Sequence, residues 1–217
     1  MALDSRRRAK QLAKKAAAAK ARAREKKHGS SHGSPYRLDL IRQTAKYPVY
    51  ECYMRRGLLE EGFGTVLISR KMGAMVASGV FLIDSFCLGV KSCFPRIQPE
   101  VAYWAMLESM QDREDLIGTD AACARKLVEG AVAFARDLGF EPDEDYGAAR
   151  LIFGDIDPAA CPQTYTFGKD GKPLFISGPY DTAERIKKIM NTLARRCGPD
   201  GYHFIINANP YDSDNDE

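Results

Sequence analysis

Thr65-Val66-Leu67-Ile68, the break Met72-Gly73-Ala74 and Val80-Phe81-Leu82-Ile83 decide the fold. Both runs are apolar and rich in β-branched and aromatic side chains, which pack well on a pleated, half-buried backbone. The glycine between them admits the backbone of a tight turn. Worked outward, the runs extend to strands over 64–70 and 75–88, with a third strand over 49–55. Three neighbouring strands with short connections read as an antiparallel meander.

Helical spacing takes over on either side. A short helix is expected over 38–45, closed by the approach to Pro48. Pro99 opens a helix whose apolar stripe is Val101, Trp104, Ala105 and Leu107. Thr119-Asp120 can cap the next helix, with Ala124, Leu127, Val128, Ala131, Ala135 and Leu138 inward and Gly139 as its stop. Further helical turns are expected over 145–153. Thr164-Tyr165-Thr166-Phe167 and Leu174-Phe175-Ile176 flank Gly168-Lys169-Asp170-Gly171-Lys172 and read as a β-hairpin, because Asp-Gly tolerates positive φ. Asp181 and Glu184 then form a capping-box pattern for a helix with Ile186, Ile189, Met190 and Leu193 inward. Its outer face holds Arg185, Lys187, Lys188, Arg195 and Arg196, and a last strand follows over 202–206. The class is α+β: an antiparallel sheet, meander plus C-terminal hairpin, packed with several helices. No internal repeat of useful period is present.

The chain has 217 residues, 45% hydrophobic and 28% charged. Such a composition excludes a wholly disordered, collagen-like or coiled-coil protein. No apolar run approaches the roughly 20 residues that span a bilayer, so membrane embedding is excluded as well. The net charge of +3 conceals an asymmetry. Residues 1–27 hold eleven Lys and Arg against Asp4 and Glu25, a formal +9, which leaves −6 for the remainder. Three parts follow: a basic arm and Gly/Ser linker over 1–34, a globular α+β domain over 35–210, and an acidic tail over 211–217.

The cations of the arm are Arg6, Arg7, Arg8, Lys10, Lys14, Lys15, Lys20, Arg22, Arg24, Lys26 and Lys27. Their repulsion opposes the helix that Ala, Lys and Arg otherwise favour, so the arm is expected to be disordered until a polyanion neutralises it. As a helix, residues 5–27 would span about 35 Å with cations on every side, which suits a phosphate-lined groove. Such contacts release counterions and do not read sequence. Weaker alternatives are a solvated tail, a transit peptide or a peripheral membrane anchor. The arm has no Trp or Phe, and Leu3 and Leu12 are too few to build the apolar face that the last two require. Lys169 and Lys172 on the hairpin turn, with Lys187 and Lys188 on the last helix, are candidates for further phosphate contacts. Nucleic acid is the expected partner, RNA before DNA because no helix-turn-helix, zinc finger or basic zipper is visible.

The stretches Gly79-Val80-Phe81-Leu82-Ile83-Asp84, Cys87-Leu88-Gly89-Val90-Lys91, Leu138-Gly139-Phe140-Glu141-Pro142 and Phe167-Gly168-Lys169-Asp170-Gly171-Lys172-Pro173 resemble a family of uncharacterised bacterial proteins over 45–206. The resemblance implies a bacterial-type cytosolic domain and brings no activity, cofactor or site residue with it.

Chemistry beyond binding has few candidates. Six cysteines (Cys52, Cys87, Cys93, Cys123, Cys161 and Cys197) are scattered without a Cys-x-x-Cys pair, so no metal site and no cofactor is expected. Reduced, buried thiols in the cytoplasm are the expectation. His28 and His32 stand four apart, but in a Gly/Ser linker that no helix orders. Cys87 with His203 would be a nucleophile and base. Asp84, Asp155 and Asp157 would supply oxygen ligands to Mg²⁺ in a phosphate-processing enzyme, the second functional reading. Asp157 before Pro158 equally suits a helix cap. A protein-interaction module built on the acidic globule is the third.

Overall fold

The computed structural model describes residues 35–178 and 181–206. The arm, His28, His32 and the acidic tail lie outside the described residues. Helix α1 (Pro35–Thr44) leads into strand β1 (Val49–Arg55), the single turn α2 (Leu58–Glu61), and strands β2 (Phe63–Met72), β3 (Met75–Asp84) and β4 (Gly89–Pro99). Helix α3 (Glu100–Gln111), strand β5 (Leu116–Gly118), helix α4 (Ala121–Asp137) and the short α5 (Tyr146–Ala149) follow. Two 3₁₀ turns, Arg150–Phe153 and Pro158–Ala160, precede β6 (Leu174–Ile176), α6 (Ala183–Cys197) and β7 (His203–Ile205).

The meander is present, and the sheet is two strands larger than the sequence suggested. Its order is β4-β3-β2-β1-β5, with every neighbouring pair antiparallel. The expected strand over 75–88 ends at Asp84, because the chain turns at Ser85–Leu88 and returns as β4, which the sequence reading did not include. Pro95 and Pro99 disguise β4 in the sequence. An edge position tolerates them, since one side of that strand has no partner to receive an N–H.

Alternation along the strands divides the apolar side chains between two faces. Val66, Ile68, Ala77, Phe81, Ile83 and Val90 pack against α4, α5 and the first 3₁₀ turn, with Leu127, Val128, Ala131, Tyr146 and Ile152 opposite them. Leu67, Val76 and Val80 turn to the other face and meet Tyr103 and Leu107 of α3. Gly89, at φ 66°, brings the start of β4 against α4. A Cβ there would stand 2.7 Å from the carbonyl oxygen of Ala131. A third cluster joins Cys87, Leu88, Leu138 and Phe175 to Ile189 and Leu193 of α6.

Four expectations are corrected. The C-terminal hairpin reduces to its turn, a lone bridge between Lys169 and Lys172. The flanking segments bond elsewhere: the Gly168 and Leu174 amides donate to the carbonyls of Ser85 and Phe86, at 2.9 and 3.1 Å, and β6 pairs in parallel with β7. In α3, Tyr103 and Leu107 are the buried residues, whereas Val101 is 82% and Trp104 39% exposed. Tyr103 wins the inner face because its hydroxyl reaches Ser69 Oγ on β2 at 3.0 Å. The cap of α6 is Thr182, whose Oγ1 accepts from the Arg185 amide at 3.2 Å, while Asp181 accepts from the Gly178 amide at 2.8 Å. Two of the six expected thiols are joined, Cys123 to Cys161, because the Pro158–Ala160 turn packs on the start of α4 and brings their Cα atoms to 4.8 Å.

Candidate functional site

Helix α6 determines where positive charge stands. Ile189 and Leu193 anchor it to Phe175, which leaves Arg185, Lys187, Lys188, Arg195 and Arg196 exposed, as the sequence suggested. Against these five cations the helix has one carboxylate, Glu184. The turn bearing Lys169 and Lys172 is tied to the end of this helix, since Lys172 Nζ donates to the Asp200 carbonyl at 2.8 Å. Lys169 lies 5.6 Å from the centre of the Phe86 ring. The four lysines singled out in the described region therefore all stand on the surface, and Lys172 is held beside the C-terminal end of α6.

An open cleft of about 600 Å³ runs along this helix. Arg185, Lys188, Ile189 and Thr192 form one wall, Leu88, Val90 and Lys91 from the start of β4 the floor, and the loop 139–143 the opposite wall. Gly139 sets the spacing of the walls. At φ 91° it lets the loop lie so close that a Cβ would be 3.2 Å from Thr192 Cγ2. The charges in the cleft are unevenly paired. Glu141 is bridged to Arg136 at 3.1 Å, and Asp143 accepts from the Asp145 amide at 3.0 Å and from the Cys93 thiol. Arg185 contacts Asp181 at 3.2 Å. Lys91 and Lys188 have no salt bridge among the described residues, although the charge of Lys91 acts on the buried Asp84 carboxyl. Arg185 belongs to the basic helix face that the sequence offered for phosphate, whereas Lys91 did not stand among the candidate contacts. The only signal was that Lys91 follows Gly89-Val90 at a strand start.

The other candidates are dispersed. Asp84 Oδ1 accepts from the Phe86 and Cys87 amides at 3.1 and 2.9 Å and so closes the β3–β4 turn. Burial raises its carboxyl to about 6, with the Lys91 charge and the turn amides pulling it back. Asp155 instead binds Arg70 at 2.9 Å, a contact that lowers its carboxyl, and Asp157 caps the second 3₁₀ turn through the Ala159 amide at 2.9 Å. Three carboxylates with three separate structural partners do not make a metal centre, and no cluster of three or more His, Cys, Asp or Glu that could hold a metal ion occurs among the described residues. Cys87 is fully buried against Phe175 and Leu193, and burial pushes its thiol up, away from the thiolate that nucleophilic attack requires. His203, by contrast, is exposed on β7.

The most developed polar assembly centres on Arg70. Arg70, 2% exposed, donates to the carbonyls of Ile152, Phe153 and Tyr47 as well as to Asp155. Among the described residues no helix is long and apolar enough to cross a membrane. No family model, curated protein or solved structure matches this chain. The resemblance over 45–206 accordingly assigns no family.

Proposed function

We propose that this protein binds nucleic acid, RNA in preference to DNA, without catalysing a reaction. The arm residues from Arg6 to Lys27 and the exposed face of α6, with Lys169, Lys172, Lys187 and Lys188, hold the phosphates. The observation that carries this reading is the concentration of charge: +9 on residues 1–27, and five cations against one carboxylate on α6, in a chain whose net charge is only +3. Phosphate contacts of this kind supply affinity and register, and the loss of counterions makes them salt-dependent.

The test is retention of RNA by the full chain purified without nuclease, followed by a salt titration of a labelled single strand. Replacing Arg6, Arg7, Arg8, Lys14 and Lys15 by alanine should lower the log–log salt slope by about 3 to 4 if all five touch phosphate. Equal affinity and slope in the substituted chain would end the proposal. The cytoplasm belongs to the same proposal. Because a Cys123–Cys161 bridge is uncommon in reducing compartments, alkylation of thiols in freshly opened cells is the check, and a fully bridged pair would place the protein elsewhere.

A second reading, a protein-interaction module, is favoured by α3, which turns Val101, Trp104 and Ala105 outward rather than into the core. Loss of a cross-linked partner in Val101→Glu, with RNA binding retained, would select it.

A further inference from the structure

We infer that the cleft between α6, the start of β4 and the loop 139–143 receives a nucleoside phosphate, its phosphate against Lys91, Arg185 and Lys188 and its base along Phe140 and Pro142. The inference deepens the nucleic-acid reading by naming the unit bound, and it rests on that reading only where the nucleotide is part of a strand.

Three observations support it. The volume of about 600 Å³ falls within the range of small-molecule sites, about 300–1,000 Å³. The walls differ in kind. Arg185 and Lys188 stand on the helix wall with Lys91 on the floor, and the loop wall carries half-buried Phe140 and Pro142 beside Glu141 and Asp143, with Val90 and Leu88 beneath. A ligand with a charged group and a flat apolar body matches that division, whereas a bare anion would leave the apolar wall without a role. Finally, the carboxylates of the cleft are paired elsewhere, while two of its three cations are not salt-bridged. Glu141 is bridged to Arg136, and Asp143 to the Asp145 amide and Cys93, whereas Lys91 and Lys188 make no salt bridge among the described residues. The positions are also firmly held. Arg185 is fixed by Asp181, which itself holds the Gly178 amide, and the Thr192 hydroxyl donates to the Lys188 carbonyl at 3.0 Å.

Adenosine 5′-monophosphate, inorganic phosphate and a short oligoadenylate serve as probes, each titrated into the full chain and followed by the backbone amide resonances of 139–143 and 185–192. Saturable shifts with the monophosphate are expected at both segments, together with at least a tenfold loss of affinity in the double substitution Lys91→Gln, Lys188→Gln. Both side chains are on the surface of the cleft, and an unchanged amide spectrum outside it shows that this variant is folded. The chain with its five arm cations replaced by alanine should bind the monophosphate as the original does. Tighter binding of the oligoadenylate at the same amides identifies a strand as the source, and tighter binding of the monophosphate identifies a free nucleotide. If RNA retention fails while these shifts persist, the nucleic-acid reading falls and the cleft remains a mononucleotide site. No saturable shift, shifts that survive the double substitution, or equal affinity for inorganic phosphate would overturn the inference.

Discussion

Replacing Arg70 by methionine removes the polar centre that joins the sheet to the first 3₁₀ turn. The Arg70 side chain leaves β2 among apolar neighbours and is 2% exposed. Its Nε donates to the Ile152 carbonyl at 3.0 Å, and its terminal nitrogens to the carbonyls of Phe153, at 2.7 Å, and Tyr47, and to Asp155 at 2.9 Å. Methionine preserves much of the stem's packing but leaves buried carbonyls without a donor. A hydrogen bond to a charged group contributes about 1.5–3 kcal/mol, and breaking a buried charged network costs about 3–5 kcal/mol. The expected loss for Arg70→Met is therefore about 3–5 kcal/mol, or a fall in Tm of about 6–20 °C for a chain of this size. Arg70→Lys keeps the charge but not the planar fork that reaches several acceptors at once, so its loss should be intermediate. Asp155→Asn should shift the midpoint far less, because that carboxylate is 83% exposed and screened by water. Urea unfolding monitored by circular dichroism, with Trp104 fluorescence as a second probe, measures all three. A midpoint for Arg70→Met close to that of the original chain, or an Asp155→Asn loss as large as that of Arg70→Met, would refute this account of the carbonyl network.

The remaining expectations concern cross-linking, pH and capping. The Cys123–Cys161 bridge spans a sequence separation of 38, which in the loop-closure model stabilises by about 4 kcal/mol. A reducing agent should lower the urea midpoint of the original chain and leave a Cys123→Ala, Cys161→Ala chain unmoved, and insensitivity of the original would show the bridge to be absent in solution. Asp84, raised from 3.8 to about 6, contributes a penalty of about 3 kcal/mol above pH 6, where both states are ionised. As pH falls from 6 towards 4 the native carboxyl takes up its proton first and the penalty is lifted. Asp84→Asn keeps an acceptor for the Phe86 and Cys87 amides, so it should be the more stable protein at pH 7, with the gap closing towards pH 4. A gap independent of pH would contradict burial as the cause. Asp120 Oδ1 accepts from the Ala122 and Cys123 amides at 2.8 and 3.1 Å, so Asp120→Ala should cost about 1 kcal/mol in urea unfolding. No measurable loss would mean that water caps α4 equally well.

What could be read from the sequence was whatever local chemistry determines. The two β-branched runs around Gly73 became β2 and β3, Asp120 and Gly139 bounded α4, and Asp157 capped the turn at Pro158. The α6 faces divided as their spacing required. Misreadings arose where tertiary contacts outweighed local signals. β4 is disguised by two prolines that only an edge tolerates. The Asp-Gly turn formed without its hairpin because the amides at Gly168 and Leu174 found acceptors at Ser85 and Phe86. Of the α3 stripe Leu107 is buried, but Val101, Trp104 and Ala105 face outward because Tyr103 has a hydroxyl partner on β2 that Trp104 lacks. The cleft escaped notice because its walls come from segments about fifty residues apart in sequence, and only packing makes Lys91 and Lys188 neighbours of one space.

Helix α6 links the two functional proposals through its geometry. At about 100° per residue, Arg185, Lys188, Thr192 and Arg196 fall on one flank of the buried line Ile189–Leu193, while Lys187 falls on the other. The flank bearing Arg185, Lys188 and Thr192 is the one that lines the cleft, and Arg196 extends it towards Gly139. A strand following that flank would pass from the cleft towards the C-terminal end of the helix, where Lys172 is held by the Asp200 carbonyl. Lys187 is off this line, so a phosphate that it holds lies outside the cleft. Lys187 and Lys188 are adjacent in sequence and were indistinguishable as candidates, yet the fold gives them unequal parts. Charge removed at Lys188 is removed from both the cleft and the path, whereas charge removed at Lys187 is removed from a phosphate contact outside the cleft and leaves the mononucleotide site unchanged.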